Sequence, residues 1–236
     1  MPKRIRLDKS IITENDRLAA GLARRYDAAG VLAVNLMSSP GSGKTTLLEE
    51  TARALGGRFR MACIEGDLAT DHDARRIEAA GMPCQLINTG GGCHLNAGQV
   101  GRALDAFRLE DLDVLFIENV GNLVCPAAFD LGEHRRVVVS STPEGDDKPA
   151  KYPVAFRLAD CVVLNKIDLV GATDFSVEAF RRYLAGVKAD LPILELSCKT
   201  GEGLAGWFQW VTDARDALGR PARSGTRPGR PAPAKK

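Results

Sequence analysis

Residues 38–45 read Ser-Ser-Pro-Gly-Ser-Gly-Lys-Thr and follow directly on the apolar run Val31-Leu32-Ala33-Val34-Asn35-Leu36-Met37. The run predicts a buried strand, and Lys44-Thr45-Thr46-Leu47-Leu48 predicts the opening of a helix. Between them, Gly41 and Gly43 let the backbone curl around Ser42. Curled N–H groups and a helix N-terminus together make a cradle for phosphate anions. Lys44 is placed to reach the β- and γ-phosphates and the Thr45 hydroxyl to ligate Mg²⁺, with Thr46 next in the same turn. The pattern G-x-x-x-x-G-K-[ST] is met except at Ser38, which stands where the first Gly is expected.

A second motif selects the base. The apolar run Cys161-Val162-Val163-Leu164 is followed at once by Asn165-Lys166-Ile167-Asp168. N-K-x-D at a strand end is the guanine-reading motif of GTP-binding domains. The Asp168 carboxylate can accept from both the ring N1–H and the 2-amino group. Adenine has no such donor pair, and a desolvated carboxylate left unpaired costs about 1–3 kcal/mol or more. Lys166 would lay its alkyl stem along the base. Ser197-Cys198-Lys199, after the apolar run Ile193-Leu194-Glu195-Leu196, falls where a backbone N–H meets the guanine O6.

Two further strand ends carry acids. Met61-Ala62-Cys63-Ile64-Glu65-Gly66-Asp67 ends one strand, and Val114-Leu115-Phe116-Ile117-Glu118 ends another before Asn119-Val120-Gly121. Open α/β sheets bind ligands at the carboxyl ends of their strands, which directs these acids at the phosphates. Asp67 is expected to hold Mg²⁺, directly or through water, or to orient the attacking water. Glu118 is expected to stand behind the Mg²⁺, and the Gly121 N–H to sense the γ-phosphate.

The distinctive constellation is Asn88-Thr89-Gly90-Gly91-Gly92-Cys93-His94-Leu95, with Cys125 in Glu118-Asn119-Val120-Gly121-Asn122-Leu123-Val124-Cys125-Pro126. Thiolate and imidazole together suit Zn²⁺ or Ni²⁺. Cys93, His94 and Cys125 fall one short of a closed tetrahedral site. Either solvent takes the fourth position or a second subunit contributes. Cys125 lies so close to Gly121 that metal and nucleotide are expected to be coupled mechanically.

Composition fits one enzyme domain. The chain has 236 residues, 44% hydrophobic and 26% charged, enough for a large single core. A net charge of +2 argues little about partners, and no nucleic-acid partner is expected. Arg220 to Lys236 carries six basic residues and no acid, with several Pro and Gly, and reads as a disordered tail. No run approaches the roughly 18 apolar residues of a membrane span. Met1-Pro2-Lys3-Arg4-Ile5-Arg6 lacks the apolar core of a signal peptide. A cytoplasmic location follows, with the six cysteines reduced.

Thr13 to Ala29 predicts an N-terminal helix capped by Thr13 or Asn15. Further on, helices are expected over 44–55, 71–80, 95–109, 177–187 and 204–217. Strands are expected over 31–37, 59–65, 83–88, 114–118, 137–141, 161–165 and 193–196. This alternation gives an α/β fold with a doubly wound, mainly parallel sheet flanked by helices. The organisation is an N-terminal helical extension (1–30), a P-loop GTPase domain with a metal site (31–219) and the basic tail (220–236).

With these motifs in this order, the chain resembles the HypB family of hydrogenase nickel-incorporation GTPases from about Thr13 to Ala217. The phosphate loop with its Ser38, Glu65-Gly66-Asp67, the Gly-Cys-His and Asn-Leu-Val-Cys-Pro segments and Asn165-Lys166-Ile167-Asp168 carry the resemblance, as does Asn15-Asp16-Arg17. It implies a SIMIBI-class P-loop GTPase that forms homodimers and binds Ni²⁺ or Zn²⁺ at a Cys-His…Cys site at the dimer interface. It also implies delivery of nickel to the [NiFe]-hydrogenase large subunit precursor with a HypA-type metallochaperone.

Two departures stand out. Residues 1–30 hold no Cys or His, so the N-terminal nickel-storing motifs of some relatives are not expected. Asn96 replaces an acid common in the family, which puts that acid's role in question. His72 and His134 read as solvated residues, and Cys63, Cys84 and Cys161 as core thiols. Two alternatives stay open. One is a urease-type nickel-insertion GTPase, whose Cys-Pro-His motif is absent here. The other is a GTP-gated metal switch with negligible turnover.

Overall fold

The computed structural model describes residues 9–67 and 70–219. The expected basic tail, 220–236, lies outside the described residues.

Among the described residues seven strands form one sheet: β1 (Leu32–Ser38), β2 (Met61–Asp67), β3 (Cys84–Asn88), β4 (Val114–Glu118), β5 (Arg135–Ser141), β6 (Cys161–Asn165) and β7 (Ile193–Glu195). Their order is β3-β2-β4-β1-β5-β6-β7. Every pairing is parallel. Parallel strands need crossover connections, and these supply all but the first and last of the helices. They are α1 (Lys9–Ala29), α2 (Lys44–Leu55), α3 (His72–Ala79), α4 (Ala97–Ala103), α5 (Lys148–Lys151), α6 (Pro153–Leu158), α7 (Val177–Ala185) and α8 (Leu204–Asp216).

Both faces of the sheet are covered, so the central strands are apolar throughout rather than alternating. Leu32, Val34 and Leu36 of β1 pack with α2, α3 and α8 on one face. On the other, Ala33 joins α1 and α4 over β2 and β4, while Met37 joins α6 and α7 over β5 and β6. With all strands parallel, the loops after each strand gather at one rim. The phosphate loop, both acidic strand ends, the Cys-His segment and the guanine loops all lie there.

Three expectations change. The helix expected over 95–109 is only Ala97–Ala103, followed by two 3₁₀ turns, Leu104–Ala106 and Leu109–Asp111. The tighter turns, with Phe107 extended between them, bring both Leu104 and Leu109 into the core. Residues 148–158, unassigned from sequence, form α5 and α6, each with a proline in its first turn where no N–H is needed. Thr13 does not cap α1, which spans Lys9–Ala29, and neither does Asn15. Asn15 is buried inside the helix, where its amide donates to the Asp130 carbonyl at 2.8 Å and accepts from the Ala97 N–H at 2.9 Å.

Trp207 of α8 is fully buried and donates to the Thr51 hydroxyl of α2 at 2.8 Å. Trp207→Ala should cost about 3–5 kcal/mol, read from urea unfolding. A loss under about 1 kcal/mol would show that α8 contributes little to the core.

Candidate nucleotide and metal site

The phosphate loop is shaped by positive-φ glycines. Gly41 (φ 76°) and Gly43 (φ 95°) hold the left-handed turns, and Gly43 stands at the start of α2. A Cβ on Gly43 would fall 2.5 Å from the Asn165 amide nitrogen, so this position must stay bare. Ser38 has a clear reason to replace glycine: its hydroxyl accepts from Lys44 Nζ at 2.7 Å and donates to the Ser39 carbonyl at 2.6 Å. The lysine is thereby held across the loop. Lys148 Nζ reaches the same loop, donating to Ser39 Oγ at 3.0 Å. Below the loop opens a cavity of about 420 Å³.

The base-reading loops are tied to the phosphate loop. Asn165 Nδ2 donates to the Ser42 carbonyl at 2.9 Å, while its Oδ1 accepts from the Lys166 and Cys198 N–H groups at 2.7 and 3.1 Å. Lys166, left-handed at φ 61°, donates to the Gly41 carbonyl at 2.6 Å. Its stem therefore crosses the phosphate loop, where a base can lie along it. Ser197 Oγ donates to Asp168 Oδ1 at 2.6 Å and accepts from the N–H groups of Lys199 and Thr200, each at 3.2 Å. Asp168 is thus held in a fixed position.

The acids behave differently from solvated strand ends. Thr45 Oγ1 donates to Glu118 Oε1 at 2.8 Å, and Lys44 Nζ lies 3.9 Å from the same oxygen. Glu118 Oε2 is buried without a hydrogen-bond partner. Glu65, in register with Glu118 across β2 and β4, also carries a buried, unpartnered oxygen. Burial, then the neighbouring Glu118, push the Glu65 carboxyl up to about 8. Burial raises Glu118 too, against the pull of Lys44 and Thr45. Asp67 lines the cavity and accepts from both the N–H and hydroxyl of Thr70, at 3.0 and 2.7 Å. A hydroxyl plus carboxylate oxygens with unfilled lone pairs is the hard-oxygen donor set that suits Mg²⁺.

Cys93, His94 and Cys125 offer ligand atoms all within 4.8 Å of one another. Cys93 Sγ lies 3.6 Å from His94 Nδ1. The His94 ring stacks on Phe129 with centroids 3.8 Å apart, which fixes its plane. Burial lowers the His94 pKa, favouring the neutral ligating ring. The bond to the Cys125 thiol, then burial, raise that of Cys93. The two sites adjoin. A Cβ on Gly121 would lie 2.9 Å from Pro40 Cα in the phosphate loop. Asn122 bridges to Ser38 and donates to the Cys93 carbonyl at 3.2 Å.

Every site residue expected from sequence therefore falls on one rim. Asn96, the departure from the family acid, is the N-cap of α4: its side chain accepts from the Gln99 N–H at 2.9 Å, and Gln99 answers in a capping box. Asn and Asp serve that role about equally well. His72 is exposed as expected, but His134 is not simply solvated. It accepts from the Ala33 N–H at 3.0 Å and lies 3.1 Å from Asp27. Glu65, Asn119 and Asn122 stand in the quoted motifs without a role of their own, and Phe129 lies outside them.

A glycine-turned phosphate loop, a lysine held over it and guanine-type loops on a parallel sheet define a P-loop nucleotide-binding protein. The description "CobW/HypB/UreG, nucleotide-binding domain" matches residues 32–195. The hydrogenase maturation factor HypB of Azotobacter vinelandii is 50% identical over 230 residues, covering 93% of this chain and 75% of the relative. That of Escherichia coli K12 is 45% identical, covering 90% and 73%. A crystal structure of HypB from Helicobacter pylori in complex with nickel superposes with a TM-score of 0.83 at 38% identity, covering 90% of this chain and 99% of that one. The chain belongs to the HypB hydrogenase maturation factors of the CobW/HypB/UreG family.

With Cys93 and Cys125 as ligands, as expected from sequence, metal binding should release protons, and affinity should fall as pH drops. The raised Cys93 thiol places that loss on the alkaline side of neutrality. Titration of Ni²⁺ from pH 6 to 9 should show affinity still rising at the upper end, and Cys125→Ala should weaken it at every pH. Undiminished binding in Cys125→Ala would locate the metal elsewhere.

Proposed function

We propose that this chain is a GTPase metallochaperone that binds nickel at Cys93, His94 and Cys125 and delivers it for [NiFe]-hydrogenase maturation. The observation that carries this reading is the placement of the Cys-His…Cys cluster on segments packed against the phosphate loop through Gly121 and Asn122. The Helicobacter relative crystallised with nickel supports the choice of metal. Asp168 reads guanine, with Ser197, Cys198 and Lys199 forming the far wall.

Thr45 and Glu118, with Asp67 opposite, would hold Mg²⁺, whose charge offsets that of the triphosphate. Lys44 swings from Ser38 onto the β- and γ-phosphates. Asp67, steadied by Thr70, orients the attacking water, and the Gly121 N–H meets the γ-phosphate.

The working form is a homodimer in the cytoplasm, and its partners are a HypA-type metallochaperone and the hydrogenase large subunit precursor. Support for the dimer is apolar: Val124, beside Cys125, is 61% exposed, and Val154 and Leu158, one turn apart on α6, are 54% and 44% exposed. α6 packs against the 3₁₀ turn that follows Cys125. Val124 thus adjoins, and α6 lies near, a three-ligand set that a second subunit can complete. Among the described residues no helix is long and apolar enough to cross a membrane.

Lys44→Ala should abolish GTP hydrolysis and hydrogenase maturation together. Maturation surviving in a variant without turnover would favour the GTP-gated switch. Asp168→Asn should weaken GTP and admit xanthosine triphosphate, and unchanged GTP affinity would remove Asp168 as the base reader. Leu158→Asp should shift the nucleotide-loaded protein to monomer by light scattering, whereas a persisting dimer would place the interface elsewhere.

A further inference from the structure

One buried amide belongs to both sites. Asn119 follows Glu118 at the end of β4, lines the nucleotide cavity and is 1% exposed. Its backbone N–H is anchored on the Leu36 carbonyl of β1 at 3.0 Å. Its side-chain Oδ1 accepts two backbone N–H groups, from Val120 at 3.0 Å and from Leu95 at 3.1 Å. Val120 leads into Gly121 on the nucleotide side. Leu95 follows His94 on the metal side.

The orientation of this amide is dictated from below. Glu133 accepts from Asn35 Nδ2 at 2.9 Å and from Arg136 Nε at 2.6 Å. Asn35 must therefore present its oxygen upward, and Asn119 Nδ2 donates to it at 3.4 Å. That leaves Oδ1 as the end facing Val120 and Leu95. The same Glu133 accepts from the Leu131 N–H at 2.8 Å, in the segment beyond Cys125 and Phe129.

We infer that Asn119 is the positioning residue through which nucleotide occupancy acts on His94. This rests on the nucleotide-linked metal site proposed above. A γ-phosphate contact at Gly121 turns the Val120–Gly121 peptide, because Gly121 has no slack against Pro40. The Val120 N–H then moves on the oxygen it shares with Leu95. The carboxamide follows, since its backbone is pinned on β1, and the Leu95 N–H carries the displacement to the adjacent imidazole. A buried oxygen serving two donors cannot release one without cost, so the two segments have matched arrangements rather than independent ones.

The test is a set of Ni²⁺ titrations of the full chain loaded with GDP or with a non-hydrolysable GTP analogue. In the wild type the two affinities should differ by about fivefold or more. In Asn119→Ala that ratio should fall to about one, while the Ni²⁺–thiolate absorption band persists because Cys93 and Cys125 remain. In the wild type, amide exchange at Leu95 should differ between the two nucleotide states, a readout that requires no variant to fold. An Asn119→Ala protein that keeps the wild-type ratio, or identical Leu95 exchange in both states, would overturn the role of Asn119 alone. A wild-type ratio of one, with both ligands still binding, would overturn the nucleotide-linked metal site itself.

Discussion

The rim of this protein hangs on the carboxamide of Asn165. Its nitrogen holds the Ser42 carbonyl, and its oxygen collects the N–H groups of Lys166 and Cys198. Three loops from three strands are thereby set to one another before any nucleotide enters. The constraint also runs backward. With the Asn165 nitrogen in that place, residue 43 can only be glycine, and only a left-handed glycine there lets α2 begin with its N–H groups facing the cavity. Preorganisation of this kind lowers the entropy lost when ligand binds.

The acids obey the opposite logic. Two carboxyls, Glu65 and Glu118, face each other across neighbouring strands with oxygens that no protein group satisfies. Buried like charges disfavour ionisation, which is why Glu65 rises to about 8. A divalent cation reverses that preference by supplying the missing positive charge. The fold thus keeps unsatisfied carboxylate oxygens of Glu65 and Glu118 where a ligand belongs.

Much of this was legible from sequence because it is local. A phosphate loop between a strand and a helix, and N-K-x-D at a strand end, are defined by spacings of a few residues. The Cys-His…Cys set was legible because each ligand lies just past a strand end, and a parallel sheet gathers those ends. What stayed hidden acts at long range. Asn15 bonds residues 82 and 115 positions away, and Asn119 bonds one 24 positions away. No periodicity marks a buried amide whose partners are distant backbone groups. Asn favours caps, which makes Asn15 a cap candidate beside Thr13. The buried Ala97 N–H and the Asp130 carbonyl outweighed that preference. The 95–109 helix was overextended for a related reason: burying Leu104 and Leu109 together requires tighter turns that helical spacing does not announce.

Both tryptophans of the chain lie on α8, stacked with ring centroids 5.5 Å apart and 13° between planes. Indoles this close and this parallel form an excitonically coupled pair. One of them is bonded to Thr51 on α2, whose first turn holds Lys44 and Thr45. The tryptophan bands of the near-ultraviolet circular dichroism, and fluorescence excited at the indole edge, therefore come from this one pair. It reports the seating of α8 against the helix that begins at the phosphate loop. That label is built in, and it leaves the cysteines of the rim untouched.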